Sequence, residues 1–326
     1  MKKPSQTSVI EYDQVGDADV LQNRTRPLPP PGPGEVTVEV IAAGISHIDG
    51  FIRTGREQDW DDPFPRASGS DFAGIVVDST DARFPKGADV VGHVRAGAHA
   101  TYLTVPAGAL VRKPKHVTWE TAGGLYLAGV TALDTLDSLH IGAGDTVVIS
   151  AAAGAVGSIE AQIARHRGAK VLGTCGARNF DYLRQLGIVP VQYGPDIVTR
   201  IREAAPRGVT AYIDNFGQDG HELARDLGVP SSRYRSSDDR RELELKLLRD
   251  DPESVAHGTR QLETVVGLAD QQAFTLLISG FYPLSDVALA YADLDKLHSR
   301  GKVVLATHPV SGFRYLKARD IAEARN

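Results

Sequence analysis

A short glycine-containing segment, Ala151 to Gly157, has the spacing of a dinucleotide-binding loop. It follows Thr146–Ser150, a β-branched run that predicts a strand, and Ser158–Arg167 continues as a predicted helix. In this A-x-x-G-x-x-G pattern, Gly154 lets the backbone approach a pyrophosphate and Gly157 lets the helix pack closely on the strand. The positive N-terminal end of the helix suits phosphates. The residues predicted to bind the dinucleotide are Ala153, Gly154, Ala155, Val156 and Gly157. The alternative is a tight turn in a fold that binds nothing.

The residues around Thr174 indicate which dinucleotide is bound. NAD sites usually carry Asp or Glu about 20 residues after the motif, where the carboxylate binds the ribose hydroxyls. Here that position is Thr174, near the end of a predicted strand over Lys170–Cys175, and no carboxylate stands nearby. Arg178 follows, and a guanidinium can pair with a 2′-phosphate. We therefore predict NADPH; the alternative is that Arg178 is a solvated surface residue.

The composition excludes several classes of protein. The chain has 326 residues, 42% hydrophobic and 24% charged, with a net charge of -5 and scattered basic residues. No basic stripe points to nucleic acid, and no apolar run approaches the roughly 20 residues of a membrane-spanning helix. The single cysteine, Cys175, allows no internal disulfide and no multi-cysteine zinc site. The N-terminus lacks the apolar core of a signal peptide, so a cytoplasmic location is the simplest expectation.

Two kinds of organisation follow each other along the chain. Up to about Val117 the sequence predicts short strands, at Glu35–Ala42, Phe72–Val77, Ala88–Val91 and Ala100–Val105. A helical pattern over Thr118–Leu139 and four strand-plus-helix units then predict a parallel, doubly wound α/β sheet. The segment Ser231–Glu253 is the least readable, and within it Ser231-Ser232 and Ser236–Arg241 read as charged and loop-like. The remaining elements predicted are a helix Arg260–Asp270, a strand Phe274–Ser279, a helix Pro283–Arg300 and a strand Gly301–Ala306.

Several segments, taken in their order, resemble the medium-chain dehydrogenase/reductase superfamily, and specifically its zinc-free quinone oxidoreductase branch that includes zeta-crystallin. They are PPPGPGEVTVEV near the N-terminus, Ala42–Gly55, Ser68–Val77, Leu125–Leu136, the glycine loop and Arg300–Leu305. The resemblance implies a GroES-like, mostly β domain over residues 1–117 and 280–326. It implies a Rossmann NADP-binding domain over residues 118–279.

The positions of zinc ligands differ from those of the zinc-dependent members. Those members resemble this chain but carry Cys where Ser46 stands, and Gly-His-Glu where Gly69-Ser70-Asp71 stands. Ser is a poor zinc ligand, so no metal is expected. His47, His93 and His99 form no spaced pair on a helix, and surface or hydrogen-bonded loop positions are the expectation for His93 and His99.

The missing zinc restricts the chemistry. Oxidation of a plain alcohol needs a Lewis acid, whereas a quinone or an α,β-unsaturated carbonyl takes the hydride's charge into its own oxygen. The predicted reaction is hydride transfer from NADPH to such a small molecule. The residues predicted to contact the substrate carbonyl are Ser46, His47 and Tyr126. The alternative is that Tyr126 is packing and His47 a turn residue.

The resemblance assigns further residues and leaves rival functions. It places Thr131 near the nicotinamide ribose, Tyr193 near the adenine, and Asn215 at the cofactor edge of the sheet. It implies a homodimer formed through the edge strand Phe274–Ser279. The rivals are an enoyl-reductase-type tailoring enzyme of secondary metabolism and a non-catalytic NADPH-binding or regulatory protein.

Overall fold

The chain divides into two compact units in a computed structural model that describes residues 3–57, 60–218, 220–296 and 300–307. The first unit takes the residues up to Leu127, Leu245–Asp270 and the residues from Leu277 onward. The second takes Ala128–Glu244 and Gln271–Leu276. The predicted domain limits stay predictions, because compact units and folding domains are divided by different criteria.

Strands make up the sheets of both units. In chain order the strands of the described residues are β1 (Gln6–Tyr12), β2 (Gln22–Pro27), β3 (Glu35–Ile45), β4 (Arg66–Ala67), β5 (Asp71–Ser79), β6 (Asp89–His93), β7 (Tyr102–Pro106), β8 (Leu110–Arg112), β9 (Thr146–Ile149), β10 (Lys170–Cys175), β11 (Val189–Gln192), β12 (Ala211–Ile213), β13 (Tyr234–Arg235), β14 (Ile278–Pro283) and β15 (Lys302–Ala306).

Helices surround these strands. In chain order the α-helices of the described residues are α1 (His47–Arg53), α2 (Trp119–Gly123), α3 (Tyr126–Ser138), α4 (Ala155–His166), α5 (Phe180–Gln185), α6 (Ile197–Ala204), α7 (Gly220–Asp226), α8 (Ser237–Leu247), α9 (Pro252–Asp270) and α10 (Val287–Asp295). A 3-10 turn, Ala177–Asn179, directly precedes α5.

The first unit is built on two sheets. The larger has the order β14-β15-β3-β5-β6-β8, with β7 also paired to β3, and the smaller has the order β2-β1-β4. Strand β3 is central, and its alternate residues Val36, Val38 and Val40 are fully buried because side chains two apart share one face of a strand. The strand predictions at Glu35–Ala42, Phe72–Val77 and Ala88–Val91 correspond to β3, β5 and β6.

The second unit is a doubly wound parallel sheet of order β11-β10-β9-β12-β13. Its central strand β9 is buried along its whole length, as expected for a parallel strand covered by helices on both faces. Helix α4 packs on this sheet and buries Gly157 through Ala164. The fold class predicted for this chain, a Rossmann sheet plus a mostly β domain, is confirmed.

Two element predictions are wrong. The run Ser236–Arg241, predicted as a charged loop, enters helix α8 at Ser237, and β13 precedes it. This half-exposed helix has no clear apolar stripe in sequence. The strand predicted at Phe274–Ser279 begins only at Ile278 and belongs to the sheet of the first unit, where β14 pairs with β15. Strand β14 lies at the end of that sheet's strand order, and the homodimer expected through the segment Phe274–Ser279 stays a prediction.

Two helix predictions differ in their limits. The pattern over Thr118–Leu139 is two helices, because the Gly123-Gly124 pair interrupts it between α2 and α3. The helix predicted at Arg260–Asp270 extends back to Pro252 as α9. Among the residues with a described structure, no helix has the length and apolarity needed to cross a bilayer.

Candidate active site

The glycine loop of the second unit has the geometry of a phosphate cradle. Strand β9 ends at Ile149, the chain turns through Ala151 with a positive φ of 48°, and α4 starts directly after Gly154. No side chain caps the N-terminus of α4. The N–H groups of its first turn therefore have no intrahelical acceptor and are left for a ligand.

Gly154 and Gly157 have different surroundings in this loop. A Cβ added at Gly157 would lie 2.6 Å from the carbonyl oxygen of Ala151, so only glycine allows the helix to approach the loop backbone this closely. A Cβ at Gly154 would meet only that same oxygen, at 3.3 Å. The amide of Ala152 donates to the carbonyl of Thr174, 3.2 Å away, and so joins the loop to the end of β10.

The other predicted cofactor residues of the second unit are arranged around this end of the sheet. Thr131 on α3 is fully buried, and its hydroxyl has no hydrogen-bond partner among the described residues. Thr174 is buried near the end of β10, while Arg178 is exposed in the turn that follows. Tyr193, 60% exposed, follows β11, and its hydroxyl lies 3.4 Å from where a Cβ on Gly176 would be. The orphaned hydroxyl and the open cradle fit a dinucleotide.

Asn215 lies at the carboxyl end of β12, as predicted, but its side chain points inward. The amide nitrogen Nδ2 donates to Oε2 of Glu160 at 2.5 Å, and the backbone N–H donates to Oγ of Ser150 at 2.7 Å. Glu160 is fully buried on α4, and Ser150 donates to Asp214 at 2.8 Å. Sequence reasoning missed Glu160, although it lies three residues after Gly157 and so on the helix face that packs against the loop.

Burial controls the charge of Glu160. Desolvation raises the pKa of this carboxyl from 4.5 to about 7, and the hydrogen bond from Asn215 and the nearby Arg240 oppose the rise. The second oxygen, Oε1, has no hydrogen-bond partner among the residues described. Arg240 also lies 3.7 Å from Glu244, a carboxylate that further raises the pKa of Glu160.

In the first unit, strand register brings three polar residues to one end of a sheet. Ser46 follows β3, Asp71 opens β5 and Lys302 opens β15. Strand β3 pairs with both neighbours, with Gly44 opposite Asp71 and Ile45 opposite Val303. The ammonium Nζ of Lys302 donates to Ser46 Oγ at 2.6 Å and to Asp71 Oδ2 at 3.2 Å.

This cluster of Ser46, Asp71 and Lys302 is largely desolvated. The side chains of Lys302 and Asp71 are 3% and 1% exposed, whereas Ser46 is partly exposed. The second oxygen of Asp71 accepts from the backbone N–H of Leu127 at 3.2 Å. Sequence reasoning missed Lys302; the available signal was a lysine at the start of an otherwise apolar strand.

Glycines make room for the lysine stem. A Cβ on Gly124 would lie 2.9 Å from Lys302 Cγ, and one on Gly44 would lie 2.8 Å from Lys302 Cε. Both glycines therefore leave room for the Lys302 stem, and its ammonium reaches Ser46.

The other two residues predicted to contact the substrate differ in accessibility. His47 is partly exposed at the first position of α1, next to Ser46. Tyr126 is fully buried: its hydroxyl donates to the carbonyl of Leu247 at 2.7 Å, and its ring stacks on His93 with centroids 4.0 Å apart. The geometry groups Ser46 with Lys302 and favours the packing interpretation of Tyr126.

His93 and His99 are buried hydrogen-bonded residues. Nε2 of His93 pairs with Thr259 Oγ1 at 2.8 Å. His99 lies between Ser68 Oγ, at 2.6 Å, and the Gly44 carbonyl, at 3.0 Å. Desolvation lowers the pKa of both imidazoles to about 4, so both are neutral at pH 7. Within the described part of the chain, no group of His, Cys, Asp or Glu has the arrangement of a metal site.

Comparison with known proteins agrees with this architecture. Residues 32–115 match the family model of the alcohol dehydrogenase GroES-like domain. Over 338 aligned residues the chain is 30% identical to a probable zinc-binding mitochondrial oxidoreductase of Arthroderma benhamiae, covering 92% of this chain and 98% of the relative. The chain belongs to the medium-chain dehydrogenase/reductase superfamily. Its relatives in that superfamily include quinone oxidoreductases.

Other relatives are matched over part of their length. A probable quinone oxidoreductase of Schizosaccharomyces pombe is 32% identical over 170 residues, which is 51% of each chain. A mycocerosic acid synthase-like polyketide synthase of Mycobacterium tuberculosis is 30% identical over 333 residues, 92% of this chain but 16% of the synthase. The chain therefore spans about half of the first of these curated relatives and about a sixth of the second.

A solved structure shares the fold over nearly the whole chain. A mycobacterial protein, determined in complex with NADPH, superposes with a TM-score of 0.76 at 26% identity. The alignment covers 92% of this chain and 99% of that protein. The medium-chain reductase fold thus extends across both units of this chain.

Proposed function

We propose that this protein is a zinc-independent, NADPH-dependent oxidoreductase that reduces a quinone or an α,β-unsaturated carbonyl by hydride transfer. The observation that carries the proposal is the buried ammonium of Lys302, 2.6 Å from Ser46 Oγ. Ser46 stands where the zinc-dependent members have a cysteine ligand. An ammonium at that distance would repel a divalent cation, so the position suits a substrate oxygen better than a metal.

Zinc-independence rests on the residues of this chain. The fungal relative is named as a probable zinc-binding protein, but here Ser46 and Ser70 occupy the ligand positions and Asp71 is engaged by Lys302. Serine hydroxyls bind zinc poorly, and a carboxylate paired with an ammonium is a weaker ligand. A conjugated acceptor fits such a site, because it needs only a hydrogen-bond donor at its oxygen.

The second unit supplies the features that favour NADPH. When bound, this cofactor would supply the hydride. The α4 N-terminus would hold the pyrophosphate, and the exposed Arg178 would pair with the 2′-phosphate where NAD-binding sites place an acid. The exposed ring of Tyr193 beside Gly176 would cover the adenine. The mycobacterial structure solved with NADPH supports this choice.

Arg178→Ala tests the cofactor choice. Loss of a charge-assisted hydrogen bond costs about 1.5–3 kcal/mol, so we expect the Kd for NADPH to rise by roughly 10- to 100-fold and the Kd for NADH to stay constant. Arg184→Ala, an exposed arginine on the next helix, is the matched control and should change neither. An equal effect on both nucleotides would contradict the proposal. The measurement is fluorescence titration with each nucleotide.

An enoyl-reductase activity is the second candidate, favoured by the likeness to the polyketide synthase over 92% of this chain. Both candidates use the same hydride chemistry and differ in the acceptor. Steady-state oxidation of NADPH with quinones, free enones and 2-enoyl thioesters separates them. Turnover confined to the thioesters would favour the tailoring enzyme. Clear NADPH binding without turnover of any acceptor would favour the non-catalytic alternative.

A further inference from the structure

The first unit holds a buried cation whose role is not explained by packing. The ammonium of Lys302 is 3% exposed, and a buried charge is costly unless it is paired. Asp71 compensates the charge, but the shorter contact is to the neutral hydroxyl of Ser46, at 2.6 Å against 3.2 Å for the carboxylate. An ion pair serving stability alone would place its short bond on the carboxylate.

The direction of these hydrogen bonds determines what Ser46 can do. A lysine ammonium only donates, so Ser46 Oγ accepts from Lys302 and keeps its own proton. The structure gives this hydroxyl proton no acceptor among the described residues. A hydroxyl that accepts from a cation is polarised and becomes a stronger donor. Because Ser46 is partly exposed whereas Lys302 is not, the hydroxyl is the accessible end of the pair.

Asp71 keeps the ammonium in place. Its Oδ2 accepts from Lys302, and its Oδ1 accepts from the Leu127 N–H and, at 3.3 Å, from the Ser70 hydroxyl. Both carboxylate oxygens are therefore engaged, one of them by the ammonium. The backbone N–H of Ser46 donates to Asp49 Oδ2 at 2.8 Å, which holds the serine at the start of α1.

We propose that Lys302 is the proton reservoir of the reduction and acts through Ser46 on the substrate oxygen. The inference rests on the proposed function, since it requires a carbonyl that receives a hydride from NADPH. As the hydride adds to the acceptor, the electron pair displaced from the conjugated system moves onto its carbonyl oxygen. The Ser46 O–H bond breaks and an O–H bond forms on the substrate.

The relay closes on the lysine. One N–H bond of Lys302 breaks as the O–H bond of Ser46 re-forms, which leaves a neutral amine beside Asp71. Solvent then returns one proton to the amine. The acceptor gains two electrons from the hydride and one proton from the relay, and the nicotinamide is oxidised. Ser46 touches the substrate, and Lys302 is a positioning residue that acts through it.

The test compares Lys302→Ala with the wild type in steady-state turnover of a quinone and an enone. A positioned proton donor contributes about 10²–10⁴-fold to a rate, so we expect kcat to fall by at least about 100-fold. The Kd for NADPH should not change, because the nucleotide cradle belongs to the other unit. Lys113→Met, a buried lysine that donates to the Pro114 and Val117 carbonyls and lies over the Trp119 ring, is the control and should keep its kcat.

Chemical rescue distinguishes a proton donor from a structural cation. Deleting the side chain leaves space beside Asp71 for a small primary ammonium ion, so we expect added alkylamines to restore turnover of Lys302→Ala. The restored rate should follow the acidity of the ammonium among amines of equal size. If Lys302→Ala does not fold, as judged by circular dichroism, the neutral double variant Lys302→Met/Asp71→Asn replaces it in the kcat comparison.

The outcomes separate the relay from the proposed function. Wild-type turnover with an unchanged kcat in the Lys302 variants would overturn the relay and leave the proposed function intact. Rescue that depends on amine size but not on amine acidity would also overturn it. Absence of turnover by the wild type with every acceptor would refute the proposed function and the relay together.

Discussion

The buried carboxyl of Glu160 makes the stability of the second unit depend on pH. Glu160 is fully buried on α4, and desolvation raises its pKa from 4.5 to about 7. Its surroundings include one donor, Asn215 Nδ2 at 2.5 Å, and two charged groups of α8, Arg240 and Glu244. Ionisation of Glu160 in the folded protein is therefore opposed by burial and by Glu244 and is favoured by Asn215 and Arg240.

The direction in which the free energy of unfolding changes with pH depends on which state, folded or unfolded, binds the Glu160 proton more tightly. The folded state binds it more tightly than the unfolded state, so the stabilisation is fully present below about pH 4.5 and is lost as the pH rises through about 7. Each pKa unit is worth about 1.36 kcal/mol, so a rise from 4.5 to about 7 corresponds to about 3 kcal/mol. Glu160→Gln removes the ionisation and keeps an acceptor for Asn215.

The assay is thermal unfolding of both proteins by calorimetry across this pH range. At about 2–4 °C per kcal/mol, the Tm of the wild type should fall relative to Glu160→Gln by about 5–10 °C between roughly pH 5 and pH 8. Glu222→Gln, an exposed carboxyl on α7 of the same unit, is the matched control and should track the wild type. A Tm difference between the wild type and Glu160→Gln that stays constant with pH would refute the reasoning.

Three further changes test the site. Gly157→Ala would place a Cβ 2.6 Å from the Ala151 carbonyl oxygen. Titration should therefore show the affinity for NADPH lowered at least about tenfold. Gly267→Ala, whose Cβ would meet open space on α9, is the control and should bind NADPH normally. Tyr126→Phe leaves the buried Leu247 carbonyl without this donor. The free energy of unfolding in denaturant should fall by about 1–3 kcal/mol, and kcat should not change. A large loss of kcat would show that Tyr126 takes part in the mechanism. Dialysis against a chelator should leave NADPH-dependent turnover unchanged, and activity that disappears and returns with added zinc would contradict the zinc-independent proposal.

Local patterns in the sequence predicted the central elements well. The alternation of Glu35–Ala42 and the β-branched run before Ala151 correspond to β3 and β9, because a strand next to a tight turn is determined by neighbouring residues. Helix α8, within the segment Ser231–Glu253, was not predicted, because it is a charged helix with little apolar periodicity. The strand predicted at Phe274–Ser279 was misplaced, because an apolar run indicates that a segment is buried but not which sheet it joins.

Candidate site residues divide in the same way. The turn at Gly154 and Gly157 was predicted from a spacing within seven residues, and their part in binding a dinucleotide stays a prediction. Tyr126 was placed near a substrate by resemblance, but its exposure depends on α9 and on the backbone at Leu247, which are distant in sequence. Tyr193 and Arg178 lie in exposed positions beside the ends of neighbouring strands, so the geometry leaves them accessible to a cofactor.

The sequence by itself determined the superfamily, the parallel sheet and the glycine loop between β9 and α4, because each depends on contiguous residues with a fixed spacing. Only the tertiary structure decided the chemistry of the polar groups. Lys302 meets Ser46 across 256 positions because β15 pairs with β3, and Glu160 meets Asn215 across 55 positions because α4 packs on the sheet. Strand register and burial are properties of the whole fold. They make a lysine in an apolar strand a buried cation, and they raise the pKa of a helix glutamate to about 7.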